Sequence, residues 1–199
     1  GQNLVVDLVN DSSEGTSIHW HGMLVPFLMD GVPGVTMAAV KPGETFRYEF
    51  PIRQAGTYWW HAHTLQEPMG HYGPIVIDPL EPDPFTWGRE YVLMLSDWSP
   101  IRPMAIMKML NGAQRRMWAK MRMSPTDIAD VTGSTYTYLI NGHGPADGLE
   151  LPFTPGERIR LRIINGSAMT FFNIRIPGLP MTVVAADGQP VQPVPVDEF

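Results

Sequence analysis

Short segments in which apolar and polar residues alternate recur along most of the chain, and glycine, proline or asparagine bounds each of them. In one segment Phe46, Tyr48 and Phe50 alternate with polar side chains, which is the period of a half-buried β-strand. The pattern predicts strands at residues 4–9, 45–50, 56–63, 91–95, 135–140, 158–164, 171–176 and 181–185. Because these segments are short and do not alternate with long helices, they favour an all-β sandwich of antiparallel strands over a parallel α/β sheet.

A Pro-Gly turn precedes a predicted strand twice, at residues 42–50 and again 113 residues later at 155–163. This offset fits two copies of one β-domain. Three prolines lie between the copies, within residues 79–84. We therefore expect a first domain at 1–79, a Pro-rich linker at 80–87 and a second domain at 88–199.

One segment, residues 101–124, departs from the β pattern because it contains six methionines and six basic residues but no acidic ones. Its second half has helical character, with Met117 and Met121 four residues apart on one face. Two interpretations remain open. The segment is either a methionine-packed helical excursion between the domains, or a thioether surface that attracts the soft ion Cu(I).

Composition narrows the chemistry. The chain has no cysteine, so disulfides, thiolate zinc sites and a blue-copper centre cannot form within it. The net charge of −6 argues against binding to nucleic acid or to an acidic membrane surface. The longest apolar runs also fall far short of the roughly 20 residues that a membrane-spanning helix needs.

Histidine supplies the strongest chemical signal. Six histidines in 199 residues would give about 0.2 His-x-His pairs by chance, yet the chain has two, His19/His21 and His61/His63. In a strand, residues i and i+2 project from the same face about 6.7 Å apart. Two such strands side by side would bring four neutral imidazoles together, a donor set that suits divalent copper or zinc. The wide spacing within each pair favours a multinuclear site in which the two histidines serve neighbouring ions.

These residues resemble a known family. The motifs SIHWHG at 17–22, DGVPG at 30–34, AGTYWWHAH at 55–63 and GPIVI at 73–77 are similar to the first cupredoxin domain of multicopper oxidases. The motifs LSDW at 95–98, NGHGPAD at 141–147 and AADGQP at 185–190 resemble the second domain, most closely in the bacterial periplasmic copper-resistance oxidases. The resemblance implies tandem cupredoxin-like Greek-key β-sandwiches, both incomplete relative to the family's pattern.

In that family a trinuclear copper cluster reduces O2 to water with electrons from a reducing substrate. The resemblance implies that His19 binds the type 2 copper and that His21, His61 and His63 bind the type 3 pair. Asp30 matches an acidic residue associated with proton delivery, although an Asp that closes a turn before glycine is an equal reading.

The other four cluster ligands and the cysteine of the type 1 site belong, in the family, to a last cupredoxin domain that this sequence lacks. We therefore expect a fragment that binds copper partially and does not turn over alone. The same resemblance implies a periplasmic location, and Cu(I) as an oxidised substrate at the Met-rich segment.

Two other functions stay open at this point. The four histidines could belong to a non-catalytic copper-binding or copper-buffering protein, or to a structural module in which they bind zinc. The unpaired His71 and His143 are interpreted as structural, with His71 the better candidate for a hydrogen bond to a ligand because it follows His63 closely. The tryptophans Trp20, Trp59 and Trp60 are expected to wall the site and pack the sandwich.

Overall fold

The structure, a computed structural model, describes residues 1–111 and 136–199. Its N-terminal sandwich comprises five strands: β1 (Asn3–Val9), β2 (His19–His21), β3 (Thr45–Pro51), β4 (Gly56–His61) and β5 (Tyr72–Ile77). Its C-terminal unit comprises β6 (Arg89–Trp98), α1 (Pro103–Asn111), β7 (Thr137–Ile140), β8 (Ile159–Asn165), β9 (Met181–Ala186) and β10 (Gln189–Val196). Short 3-10 helices lie at Phe27–Met29, Glu67–Met69 and Pro145–Asp147.

Two antiparallel sheets form the N-terminal sandwich. Strands β1 and β3 pair in one sheet, and β4 lies between β2 and β5 in the other. Aromatic side chains fill the space between the sheets, with Trp20 edge-on to Tyr48 and Phe50 at ring-centroid distances of 5.3 and 5.5 Å. This aromatic core fixes the sheet that carries the histidine pairs.

The C-terminal unit contains a three-stranded sheet and a hairpin. Strand β6 pairs antiparallel with β7 but parallel with β8, so the expectation of antiparallel strands alone is wrong at this pairing. Strands β9 and β10 form a hairpin whose turn residues, Asp187 and Gly188, both have positive φ, as a two-residue type I′ turn requires. The buried side chains of this unit include Leu93, Leu95 and Ile164.

Three segments differ from the predicted strands, and one of them is β5, which the list of predicted strands does not contain. Residues 171–176 do not form a strand: within the described part of the chain, Ile174 exchanges backbone hydrogen bonds with Phe199 alone, and Phe171 is 97% exposed. Strand β10 lies outside the predicted strands, and it contains prolines, which disfavour a central strand. It forms nevertheless because β10 is one edge of a two-stranded ladder, where a missing N–H costs little.

The Met-rich segment is described only in part. Helix α1 begins at Pro103 and ends at Asn111, in the first half of the segment. The predicted second-half helix, with Met117 and Met121, lies outside the described residues. No helix within residues 1–111 and 136–199 is long and apolar enough to cross a membrane.

Side chains of strand β4 join the two parts of the chain. Arg162 on β8 donates from Nη1 to Thr57 Oγ1 at 2.7 Å and forms an ion pair with Glu90 at 2.9 Å. The adjacent Tyr58 hydroxyl accepts a hydrogen bond from Gln189 Nε2 at 3.1 Å. Close approach here requires glycine, since a Cβ at Gly188 would lie 2.2 Å from the Tyr58 ring. The C-terminal unit is thus attached to the strand that ends at His61.

Candidate metal centre

Strand register places the histidines on one face of their sheet. Strands β2 and β4 pair His19 with His61 and Trp20 with Trp60, and side chains alternate between faces along each strand. The indole of Trp20 is buried in the aromatic core. The imidazoles therefore project from the opposite, outer face of the sheet.

All four predicted histidines converge at this face. The ring centroid of His19 lies 5.6 Å from the ring centroids of His21 and His63 and 5.2 Å from that of His61. His61 and His63 are 5.8 Å apart, and His63 lies beyond the end of β4 rather than within it. The prediction that the two pairs meet at one point is confirmed by these distances.

The closest nitrogens come from different strands. His21 Nδ1 lies 3.2 Å from His61 Nε2, and the ligand atoms of His19, His21 and His61 all lie within 4.8 Å of one another. Two imidazole nitrogens bound to one tetrahedral ion at about 2.0–2.1 Å would be about 3.3 Å apart. The donor set therefore fits a metal ion held between the strands, which would take a lone pair from each of the two nitrogens.

The orientation of His19 is set by the loop that follows β2. Its Nδ1 donates to the main-chain oxygen of Asp30 at 2.7 Å, and the Asp30 carboxylate lies 3.3 Å from the same nitrogen. This leaves Nε2 free to bind metal. Asp30 also ends the 3-10 helix Phe27–Met29, so its predicted position beside the site and its turn-closing position are both observed.

Glycine at position 31 makes this contact possible. A Cβ there would lie 1.7 Å from the Ile18 carbonyl oxygen, and the residue has φ +77°. The N–H of the same residue, Ile18, which directly precedes β2, donates to the Tyr48 hydroxyl at 2.9 Å. The backbone just before His19 is thus held from two sides.

A residue that the sequence prediction missed contacts His61. Glu67 Oε2 lies 3.1 Å from His61 Nδ1, and the Ala62 carbonyl oxygen lies 3.3 Å from the same nitrogen. The available signal was an acidic residue six positions after His61, at the start of a short turn. His71, the predicted candidate, contributes its carbonyl oxygen to the Ala62 N–H, while its side chain is exposed.

Aromatic packing surrounds the site, and electrostatics favour the neutral form of His21. Trp59 stacks against His21 at 4.7 Å and against His61 at 4.4 Å, while Trp60 packs on the aromatic core, as expected for residues that wall the site. Partial burial, and then the neighbouring His61 and His19, lower the pKa of His21. The neutral ring is the form that binds metal.

His143 is exposed in the turn after β7, and its backbone pairs with Ile140.

Comparison with protein families decides the chain's relationship. Two family models described as multicopper oxidase match it, one over residues 1–82 and the other over residues 89–199. The second match alone covers more than half of the chain. The chain belongs to the multicopper oxidase family.

Individual multicopper oxidase relatives agree with this assignment. The chain is 49% identical to copper resistance protein A of Escherichia coli and 47% identical to that of Pseudomonas syringae pv. tomato, with all of the chain covered. It covers 38% and 37% of those proteins, so it spans less than two-fifths of their length.

A solved multicopper oxidase structure supports the fold. The blue copper oxidase from Nitrosomonas europaea matches with a TM-score of 0.76 at 29% identity, over all of this chain and 59% of that one. The predicted all-β class with tandem cupredoxin-like sandwiches is confirmed. Membership of the multicopper oxidase family also implies copper as the metal, in agreement with the cluster of three imidazoles.

Proposed function

We propose that this chain supplies half of the ligands of a trinuclear copper cluster in an oxidase that couples one-electron oxidation of a substrate to reduction of O2 to water. The convergence of four imidazoles on one sheet face carries the proposal. His19 would hold the type 2 copper, and His21, His61 and His63 the type 3 pair. Bound copper would carry electrons to O2.

The chain's own residues would orient these ligands and exclude alternative geometries. The 3.2 Å approach of His21 Nδ1 to His61 Nε2 supports a shared ion across the strands. Trp59 restrains both rings by stacking. The comparisons lend no support to the copper-buffering alternative.

Asp30 is proposed to deliver protons to the cluster. Reduction of O2 to water consumes four protons, and a carboxylate that reaches both solvent and the site can relay them. The Asp30 side chain is 30% exposed and lies 3.3 Å from His19 Nδ1. Its main-chain oxygen keeps His19 oriented whatever the protonation state of the carboxylate.

The remaining ligands and the electron entry site would come from another part of the oxidase, because the donors described in this chain account for half of such a cluster. A C-terminal cupredoxin domain is the proposed partner. Within this chain we propose that residues 1–79 form the copper-bearing domain, 80–87 the linker and 88–199 a second domain without copper ligands.

The reducing substrate is proposed to include Cu(I), in the periplasm. Two relatives are named for copper resistance, and helix α1 presents Met104 and Met107 three residues apart with 50% and 43% exposure. Thioethers favour Cu(I). Replacing both methionines by leucine should weaken Cu(I) binding in a competition titration, while Met69→Leu serves as an exposed control. Equal affinity in the double variant would exclude this surface.

Copper titration of the chain tests the central proposal. His61→Ala should weaken copper binding by more than about 100-fold, since it removes a ligand shared with His21. The matched control is His143→Ala, an exposed histidine outside the cluster, which should bind copper like the unmodified chain. The chain alone should not consume O2 with a reducing substrate at an oxygen electrode. Unchanged copper affinity in His61→Ala would refute the ligand assignment.

A further inference from the structure

The two ring nitrogens of His61 contact different groups on opposite sides of the imidazole. Nε2 faces His21 Nδ1 inside the cluster, whereas Nδ1 faces Glu67 Oε2 at 3.1 Å. The His61 side chain is 6% exposed and that of Glu67 is 26% exposed, so water competes little for the nitrogen. A carboxylate accepts but does not donate when ionised, so this contact requires the proton on Nδ1.

We propose that Glu67 is a positioning residue that fixes His61 in the Nδ1–H tautomer and aims its Nε2 lone pair at the metal, an inference that rests on the proposed function. The ring cannot turn over without breaking the contact with Glu67 on one side and with His21 on the other. A carboxylate behind a ligating imidazole also raises the basicity of the ligand.

Glu67 is itself held by a buried network. The preceding residue, Gln66, is 5% exposed, and its amide contacts Thr16 Oγ1 at 2.5 Å and Ser12 Oγ at 3.3 Å. These partners lie in the segment that leads into β2. The turn that carries Glu67 is therefore anchored to the segment before the first histidine pair as well as to the strand of the second.

The corresponding contact at His19 differs in a way that isolates the role of Glu67. At His19 the closest acceptor is the main-chain oxygen of Asp30, at 2.7 Å, and the carboxylate is second at 3.3 Å. At His61 the order is reversed, since the carboxylate lies at 3.1 Å and the Ala62 carbonyl at 3.3 Å. Removing a side chain therefore removes the main acceptor only at His61.

The tautomer of His61 in the metal-free chain tests the proposal directly. Long-range ¹H–¹⁵N NMR correlations should identify the Nδ1–H form in the unmodified chain and in Glu67→Gln, whose amide oxygen still accepts. In Glu67→Ala they should report a mixture of tautomers. Glu49→Gln, an exposed glutamate on β3, is the control for loss of a charge elsewhere. A single Nδ1–H tautomer in Glu67→Ala would overturn the proposal.

Copper affinity provides the second readout. Glu67→Ala should bind copper about 10–100-fold more weakly, and Glu67→Gln should lose less. If the unmodified chain binds copper and Glu67→Ala binds it equally well, the positioning role fails while the proposed function stands. If the unmodified chain binds no copper, the proposed function fails, and the tautomer comparison still decides whether Glu67 orients His61.

Discussion

The segment that follows β1 and the segment that follows β8 begin and end alike. At the start of each, directly after β1 and at the last residue of β8, an asparagine side-chain oxygen accepts the N–H of the serine two residues later, at 3.0 Å for Asn10 and 3.1 Å for Asn165. Each ends at a glycine with positive φ, +85° at Gly22 and +80° at Gly178. When these glycines are aligned, Arg175 and Pro177 occupy the positions of His19 and His21.

The two segments also differ in whether they pair with a neighbouring strand. The first segment forms β2, which lies against β4 and its own histidine pair. The second forms no strand, and Ile174 bonds to Phe199 instead. The first segment thus has two local histidines and a neighbouring strand with its own pair, whereas within residues 88–111 and 136–199 no strand that bears histidines pairs with the second segment.

The largest effect is expected at the loop that packs against the first segment. Gly31→Ala should lower the free energy of unfolding by more than about 4 kcal/mol, because its Cβ would overlap the Ile18 carbonyl and its φ is positive. Gly34→Ala is the matched control, since φ is +81° there but no atom lies within 4 Å. It should cost about 1–2 kcal/mol in chemical denaturation. Equal losses would contradict the packing account.

A buried carboxylate holds the second segment instead. Asp97 accepts hydrogen bonds from the Ala168 and Met169 N–H groups and from the Thr170 hydroxyl. Asp97→Asn should lower the free energy of unfolding by about 2–3 kcal/mol and leave copper affinity unchanged. Denaturation and copper titration check this, with the exposed Asp197→Asn as control. Loss of copper binding would mean that the two segments are coupled.

A smaller effect is expected at the entry to β2. Tyr48→Phe removes the acceptor for the Ile18 N–H, leaving that group without its partner. The free energy of unfolding should fall by about 1–2 kcal/mol. The same change at the half-exposed Tyr138 should have little effect on the denaturation midpoint. Indistinguishable midpoints for the two variants would remove Tyr48 from the support of the site.

Copying the histidines into the second segment is not expected to increase the number of copper ions bound. The double variant Arg175→His/Pro177→His should bind no additional copper, because among residues 1–111 and 136–199 no strand that bears histidines pairs with residues 171–176. Equilibrium dialysis against copper would measure the stoichiometry. One extra bound ion would show that the local pair suffices, and the comparison above would fail.

Features set by local spacing were predictable from the sequence. A two-residue spacing puts His19 and His21 on one face of β2, because side chains alternate between faces along a strand. The same argument does not cover His63, which lies beyond the end of β4. Glu67 was missed because its contact depends on the 3-10 turn that follows β4, for which the sequence pattern carries no strong signal. The prediction of a strand at 171–176 was wrong because a strand needs a partner strand, and an alternating sequence pattern does not supply one.

The internal repeat shows the same limit. Pro-Gly turns suggested an offset of 113 residues, but such turns precede many strands. The asparagine turns and terminal glycines give a second offset, of 155 or 156 residues, and this alignment places β1 on β8. The two offsets pair different strands, and the domain boundaries drawn from the first stay a prediction.

The alternation of indole and imidazole along β2 and β4 has a consequence for folding. Sliding β2 by a single residue against the sheet would turn Trp20 out to solvent and drive imidazoles into the aromatic core. If the chain binds copper through these histidines as proposed, copper uptake would report that the two strands are in register, and a molecule with shifted strands would fail to take up the metal.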